Sequence, residues 1–83
     1  MALYVYVYSS ETGLPITNAT FSTYAFSNLG NGAYYLWAPA NVGVITTAPG
    51  KQGLIWDTDS YVAMYIHLPN YAPPPPPHSQ GYT

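Results

Sequence analysis

Cysteine is absent from the 83 residues, and charge nearly so: 5% of the chain is Asp, Glu, Lys or Arg, and Lys51 is the only basic side chain. The first absence removes disulfides as a brace for a chain this small. The second excludes nucleic acid as a partner, because a phosphate backbone is held by neutralising it with Lys and Arg. A polybasic contact with a membrane surface goes the same way. Long hydrophobic runs are missing too. The longest, residues 3–8 and 33–40, fall far short of the ~20 residues that cross a bilayer as a helix. No segment repeats with a helical period, and no internal repeat is visible. Met1 to Tyr4 shows neither a basic leader nor a small-residue cleavage site, so no export signal is expected.

These absences raise the question of what supports and covers the chain. A domain of this size buries only ~60% of the surface its unfolded chain exposes. With disulfides excluded, a partner is the expected support. Soluble monomers carry roughly a quarter of their surface as charged residues, and this chain must cover itself with Tyr, Ser, Thr, Asn and Gln instead. Few titratable groups also mean little stability to lose as pH falls, so tolerance of acid is expected.

What is present alternates with period two between clusters of Gly, Pro, Asn and Ser, which is an all-β pattern. Leu3, Val5 and Val7 alternate with Tyr4, Tyr6 and Tyr8, an aliphatic face and a tyrosine face on one strand. Residues 9–13 read as a turn, and a second strand is expected from Asn18 through Phe21, Thr23 and Ala25. The segment Asn28 to Gly32 (NLGNG) is the clearest hairpin signal, since Asn and Gly accept the positive φ of primed turns. Further strands are expected at residues 33–38, 43–47, 54–56 and 60–68. Tyr34 and Leu36 should meet Val5, Val7, Phe21, Val62, Met64 and Ile66 in one core.

After Pro69 the composition changes. Pro73, Pro74, Pro75, Pro76 and Pro77 favour a polyproline II rod that cannot enter a sheet interior. The expected organisation is a β body over 1–69 and an extended arm over 70–83, anchored by Tyr71 and Tyr82 on either side of the prolines.

The body resembles the carboxypeptidase regulatory-like, or transthyretin-like, β-sandwich. Thr12-Gly13-Leu14-Pro15-Ile16 with Ala19 fits that family's T-G-x-P-I-x-x-A step. Gly32-Ala33-Tyr34-Tyr35-Leu36 fits its G-x-Y-x-L, Pro39-Ala40 with Gly43-Val44 sits at its P-x-G-x-Y, and Ile66-His67-Leu68-Pro69 fits the closing strand. Asn41 and Val42 lengthen the third motif, Val44 replaces its aromatic, and residues 48–60 have no counterpart. The resemblance implies a small antiparallel Ig-like sandwich of about six to seven strands that serves as a spacer, stalk or adhesion module and is usually not catalytic.

Catalysis needs a nucleophile with a base, or paired carboxylates. The inventory here is Glu11, Asp57, Asp59, His67 and His78. Glu11 lies in a turn. Asp57 and Asp59 have the spacing of a calcium loop but lack its Gly and distal Glu, so an Asx-turn is the better reading. His67 falls on the strand face opposite Ile66, and two histidines without a third ligand make no zinc site. No enzyme, metal or cofactor is expected.

The aromatics carry more. Ten tyrosines and two tryptophans exceed what so small a core can hold. Tyr4, Tyr6, Tyr8, Tyr35, Trp37, Tyr61 and Tyr65 are therefore the candidate interface. Burial between copies of the chain is favoured over stacking on sugar rings, which normally recruits charged groups to grip hydroxyls. Asn18-Ala19-Thr20 is a glycosylation sequon. The expectation is a structural subunit of a virion, as capsid or decoration protein, or of a surface filament. Its partners would be copies of itself and other structural subunits, and a secreted adhesion or carbohydrate-binding module is the alternative.

Overall fold

Odd-numbered aliphatics and even-numbered tyrosines fold the N-terminal segment into β1 (Ala2–Ser9), with Leu3, Val5 and Val7 fully buried and Tyr4 exposed. The computed structural model describes residues 1–22 and 24–72; Thr23, the proline run 73–77, His78 and Tyr82 lie outside the described residues. The other strands are β2 (Thr20–Phe21), β3 (Ala25–Gly30), β4 (Ala33–Trp37), β5 (Gly43–Thr47), β6 (Leu54–Asp57) and β7 (Ala63–Leu68). They form a four-stranded sheet in the order β3-β4-β1-β7 and a three-stranded sheet in the order β2-β5-β6. The protein is a small all-β sandwich, and no helix occurs among the described residues.

The pairings are antiparallel as expected, with one departure. β7 runs parallel to β1, with Val5 opposite Met64 and Val7 opposite Ile66. The reason is topological, because the chain enters β7 from the three-stranded sheet and not through a hairpin with its neighbour, which leaves it free to run either way.

A second departure concerns the expected strand from Asn18 to Ala25. β2 covers two residues only, and the chain then leaves the three-stranded sheet to begin β3 in the other one. Two local features end it. Ser22 closes the β5 edge, its N–H donating to the Ile45 carbonyl and its Oγ accepting from the Ile45 N–H. Tyr24 then takes a φ of 63°, a left-handed conformation that breaks an extended run. The hairpin turn lies at the end of the NLGNG segment, where Asn31 and Gly32 have φ of 54° and 82°, as a primed turn requires. Asn28 belongs to β3, and a register shift between Asn28 and Gly30 marks a bulge.

Val62 is a third correction. Expected in the core, it is 76% exposed. β7 begins one residue later at Ala63, after a turn through Asp59 at φ 46°, so Val62 is not yet in the alternation and contributes only its carbonyl, which accepts from the Tyr4 N–H.

The core joins both sheets: Leu3, Val5, Val7, Tyr34, Leu36, Ile66 and Leu68 from one, Phe21, Val44 and Trp56 from the other. Tyr34 is its largest fully buried side chain. Its ring meets Phe21 edge-on at 5.3 Å, and its hydroxyl donates to the Ile16 carbonyl at 2.6 Å and accepts from the Ala19 N–H at 3.0 Å. The loop that carries the chain from the first sheet to the second is thus pinned by a residue of β4. The buried indole of Trp56 is satisfied likewise, by Thr46 Oγ1 at 2.7 Å.

Gly32 belongs to the same junction. A Cβ there would lie 2.7 Å from Pro15 Cβ and 2.9 Å from the Val7 carbonyl oxygen. The T-G-x-P and G-x-Y segments therefore touch, and only glycine fits between them at that φ.

Lys51 ties the two sheets near the same end of β1. Its ammonium donates to Ser9 Oγ on β1 at 2.9 Å and to Asn70 Oδ1. Around it the Gln52 N–H donates to the Pro69 carbonyl and the Tyr71 N–H to the Gly50 carbonyl. Backbone bonds to the body thus continue through Tyr71.

Tyr34→Phe keeps the ring and strands two buried backbone groups, so it should cost about 1–3 kcal/mol in urea unfolding. Leu36→Ala should cost about 2–5 kcal/mol through the cavity it leaves. Tyr65→Phe, altering an exposed hydroxyl, should shift the midpoint little; a loss equal to that of Tyr34→Phe would show that the buried hydroxyl is not the tie described here.

Candidate functional site

Strand alternation that sends Leu3, Val5, Val7, Leu36 and Ile66 inward must send their neighbours outward. On the outer face of the four-stranded sheet this places Tyr4, Tyr6 and Tyr8 from β1, Tyr35 and Trp37 from β4, and Tyr65 and His67 from β7. The register sets them in rows. Tyr35 lies opposite Tyr4, Tyr6 opposite Tyr65, and Tyr8 opposite His67, while Trp37 pairs with Ala2 and Ala25 at one end.

Rings follow the register. Tyr4 and Tyr35 meet edge to face with centroids 5.4 Å apart, Tyr6 stacks on Tyr65 at 5.0 Å, and Tyr8 stacks on His67 at 5.4 Å. Cross-strand aromatic pairs of this kind contribute roughly 0.2–1 kcal/mol each. They also hold the rings in a fixed array. The array remains open to solvent, with Trp37 61%, Tyr65 64% and Tyr4 45% exposed. No Asp, Glu, Lys or Arg lies on it: Glu11 and Lys51 are in turns, and Asp57 and Asp59 are on the other sheet and the loop after it.

Six of the seven expected interface residues thus share one face: Tyr4, Tyr6, Tyr8, Tyr35, Trp37 and Tyr65. Tyr61 does not join the ring pairs. It sits in the loop before β7, its N–H bonded to the Thr58 carbonyl, and is exposed. His67 completes the array, and the parity that placed it opposite Ile66 was the signal for it. Tyr71 is held through its backbone to Gly50 and leaves its side chain exposed. Asn18 is exposed on the crossing loop between buried Ile16 and Ala19, so the sequon is accessible.

A smaller apolar patch lies on the outer face of the three-stranded sheet. Ile45 of β5 and Ile55 of edge strand β6 are cross-strand partners and are 40% and 73% exposed. A Val-Ile-Thr-Thr strand next to Leu-Ile-Trp carries that pair in its alternation.

The groups with chemical capacity lie apart from the face. Asp57 Oδ1 accepts from the Asp59 N–H at 2.7 Å, the Asx-turn expected of that loop. Among the described residues no three of His, Asp and Glu gather as a metal site would require, and no pocket opens. The arrangement offers an extended apolar surface edged with phenol hydroxyls, suited to contact over area.

Trp37 and Trp56 provide a direct readout of this placement. Trp37→Phe leaves only the buried indole, and its emission should resist acrylamide quenching; Trp56→Phe leaves the exposed one, which should be quenched readily. Equal quenching of the two variants in the monomer would show the face to be covered by the chain itself. No family model, curated protein or solved structure matches this chain.

Proposed function

We propose that this chain is a non-enzymatic structural subunit that associates with copies of itself through the aromatic face of its four-stranded sheet. One observation carries the proposal: seven aromatic side chains share a solvent-facing sheet face without Asp, Glu, Lys or Arg, with Tyr4, Trp37, Tyr65 and His67 exposed and Tyr6, Tyr8 and Tyr35 half-buried among them. Monomeric proteins seldom expose so continuous an apolar surface unless something binds there. Tyr and Trp are also the residues that contribute most at the centres of protein interfaces. A virion shell or a surface filament suits the composition, since neighbours in such assemblies cover most of each subunit and a chain with 5% charged residues need not stay dispersed alone. Other structural subunits are natural further partners. The proline-rich arm, of which residues 73–83 lie outside the described residues, is proposed to add contacts between subunits, and the regulatory-like sandwich is the family this reading favours.

A carbohydrate-binding or adhesion module is the second reading. What favours it is the exposure of flat rings in fixed rows, the arrangement on which sugar rings stack. The two readings differ in what covers Trp37, a second copy or an added glycan.

Sedimentation velocity over a range of concentrations tests the proposal. Wild-type protein should associate, and Trp37→Lys, which places a charge at the exposed end of the face, should remain folded by circular dichroism and sediment as a smaller species than wild type. Association of the lysine variant equal to wild type would remove the face from the interface. A wild-type monomer at every concentration, with Trp37 protected from quenching only when polysaccharide is added, would establish the second reading.

A further inference from the structure

Among the described residues, the aromatic face ends at a strand edge whose backbone is open, and that edge has a self-complementary register. We infer that two copies join β7 to β7 in antiparallel fashion about a twofold axis through Tyr65, making one continuous sheet of their two four-stranded sheets. The inference rests on the proposed self-association and names its first contact.

Among the described residues β7 is the outermost strand of its sheet, paired with β1 on one side only. The Tyr4 N–H donates to the Val62 carbonyl and the Ser10 N–H to the Leu68 carbonyl. Even-numbered residues of this segment therefore point their backbone groups at β1, and the N–H and C=O of Ala63, Tyr65 and His67 point the other way, to the open edge.

The remaining edges carry obstructions that β7 lacks. β3 is bulged between Asn28 and Gly30, and the Asn28 side chain bonds the Gly30 N–H and the Thr17 carbonyl. β2 has two residues, and β6 has four and ends in Asp57. Bulges, short length and charge are the usual means of preventing edge pairing. Residues 63–68 (AMYIHL) contain no Pro, Gly, Lys, Arg, Asp or Glu.

Register follows from parity. Opposed residues in an antiparallel pair share a face, so a twofold axis must pass through a residue and not between two. Centred on Tyr65, the ladder pairs Tyr65 with Tyr65 and Ala63 with His67, and every open N–H and C=O of the three residues finds a partner. Centred on Ile66, Ala63 would face Pro69, which has no N–H and whose carbonyl already accepts from Gln52. Only the Tyr65 register closes completely.

It also fits the ends. The turn at residues 50–52 occupies the edge side from Pro69 onward through its bonds to Pro69 and Tyr71, and the facing strand starts at Ala63 after the exposed bend at Val62. The partner chain turns away where that turn begins. Outward, the joined sheets continue the aromatic rows, with Tyr65 beside Tyr65 at the seam. A second copy is the occupant favoured over the chain's own proline run, because Pro73 to Pro77 have no N–H to give to the edge carbonyls.

The chain has no cysteine, so a single introduced one reports the register without background. In a hydrogen-bonded antiparallel pair facing Cα atoms lie about 5.5 Å apart, within the roughly 4.4–6.8 Å that a disulfide spans. Tyr65→Cys should oxidise to a covalent dimer. His67→Cys should not, because its twofold mate would lie about four residues, or ~13 Å, along the ladder. Hydrogen exchange on the wild-type protein provides the second measurement. The amides of Ala63, Tyr65 and His67 should be protected as well as those of Met64, Ile66 and Leu68, and should lose at least tenfold in protection on dilution to monomer.

Fast exchange at the three odd positions in the associated protein, with even positions protected, would overturn the edge pairing. If Trp37→Lys still abolished association in that case, self-assembly through the face would stand without it. Protection that persists on dilution and disappears when residues 73–83 are removed would assign the edge to the chain's own arm and overturn the inference too.

Discussion

The hydroxyl of Tyr34 is the point on which the two-sheet arrangement depends. A sandwich of this size must carry its chain across from one sheet to the other several times, and each crossing brings backbone amides and carbonyls over the core. At the first crossing Ile16 and Ala19 are buried side chains, so the loop sits down on the core and cannot turn all its polar groups to water. Tyr34 answers both needs, with a ring that fills the space beside Phe21 and an oxygen that bonds Ile16 and Ala19. A phenylalanine would fill the same volume and leave two groups unpaired, which is more costly than never having buried them. With this loop held, Pro15 lies against Gly32 and the β3–β4 hairpin is locked to β1.

Much of this was legible in the residues, and the limits are physical. Alternation along Leu3 to Tyr8 placed an aliphatic face inward and a tyrosine face outward, because period two ties side-chain direction to position whatever the partner strand is. The same parity put Tyr35, Trp37, Tyr65 and His67 outside and Tyr34, Leu36 and Ile66 inside. Partner order was not legible. Nothing within residues 63–68 states that their neighbour is β1 or that the pair is parallel; that depends on where the preceding loop delivers the chain. The switch of sheets after Phe21 was hidden for a related reason. It turns on a left-handed Tyr24, a conformation that Asn or Gly would have advertised and tyrosine does not.

Trp56 shows the limit from the other direction. Alternation alone makes Leu54-Ile55-Trp56 ambiguous, since Ile and Trp are both apolar and either parity yields a plausible core. The structure buries the indole, whose N–H meets Thr46 Oγ1, and exposes Ile55 beside Ile45. The buried indole and its hydroxyl partner mark the parity that hydrophobicity left open.

The scarcity of charge connects fold and proposed role. A single lysine is used inside the structure, where its ammonium joins Ser9 of β1 to Asn70 and closes the sandwich at one end. With Lys51 committed there, none of the chain's basic groups is left to guard a strand edge or interrupt an apolar face, the two tasks for which soluble β proteins most often use lysine. The acidic groups are confined to turns and the end of β6. What results is a surface with few of the features that keep β-sheets apart: rows of rings on one face and, among the described residues, an edge whose amides are unobstructed at its border. In a chain meant to remain alone this would be a hazard of aggregation. In one meant to associate, the bulge at β3 and the brevity of β2 become the informative features, because they leave β7 as the edge where pairing of the four-stranded sheets meets least resistance, and so limit the number of ways that copies can meet.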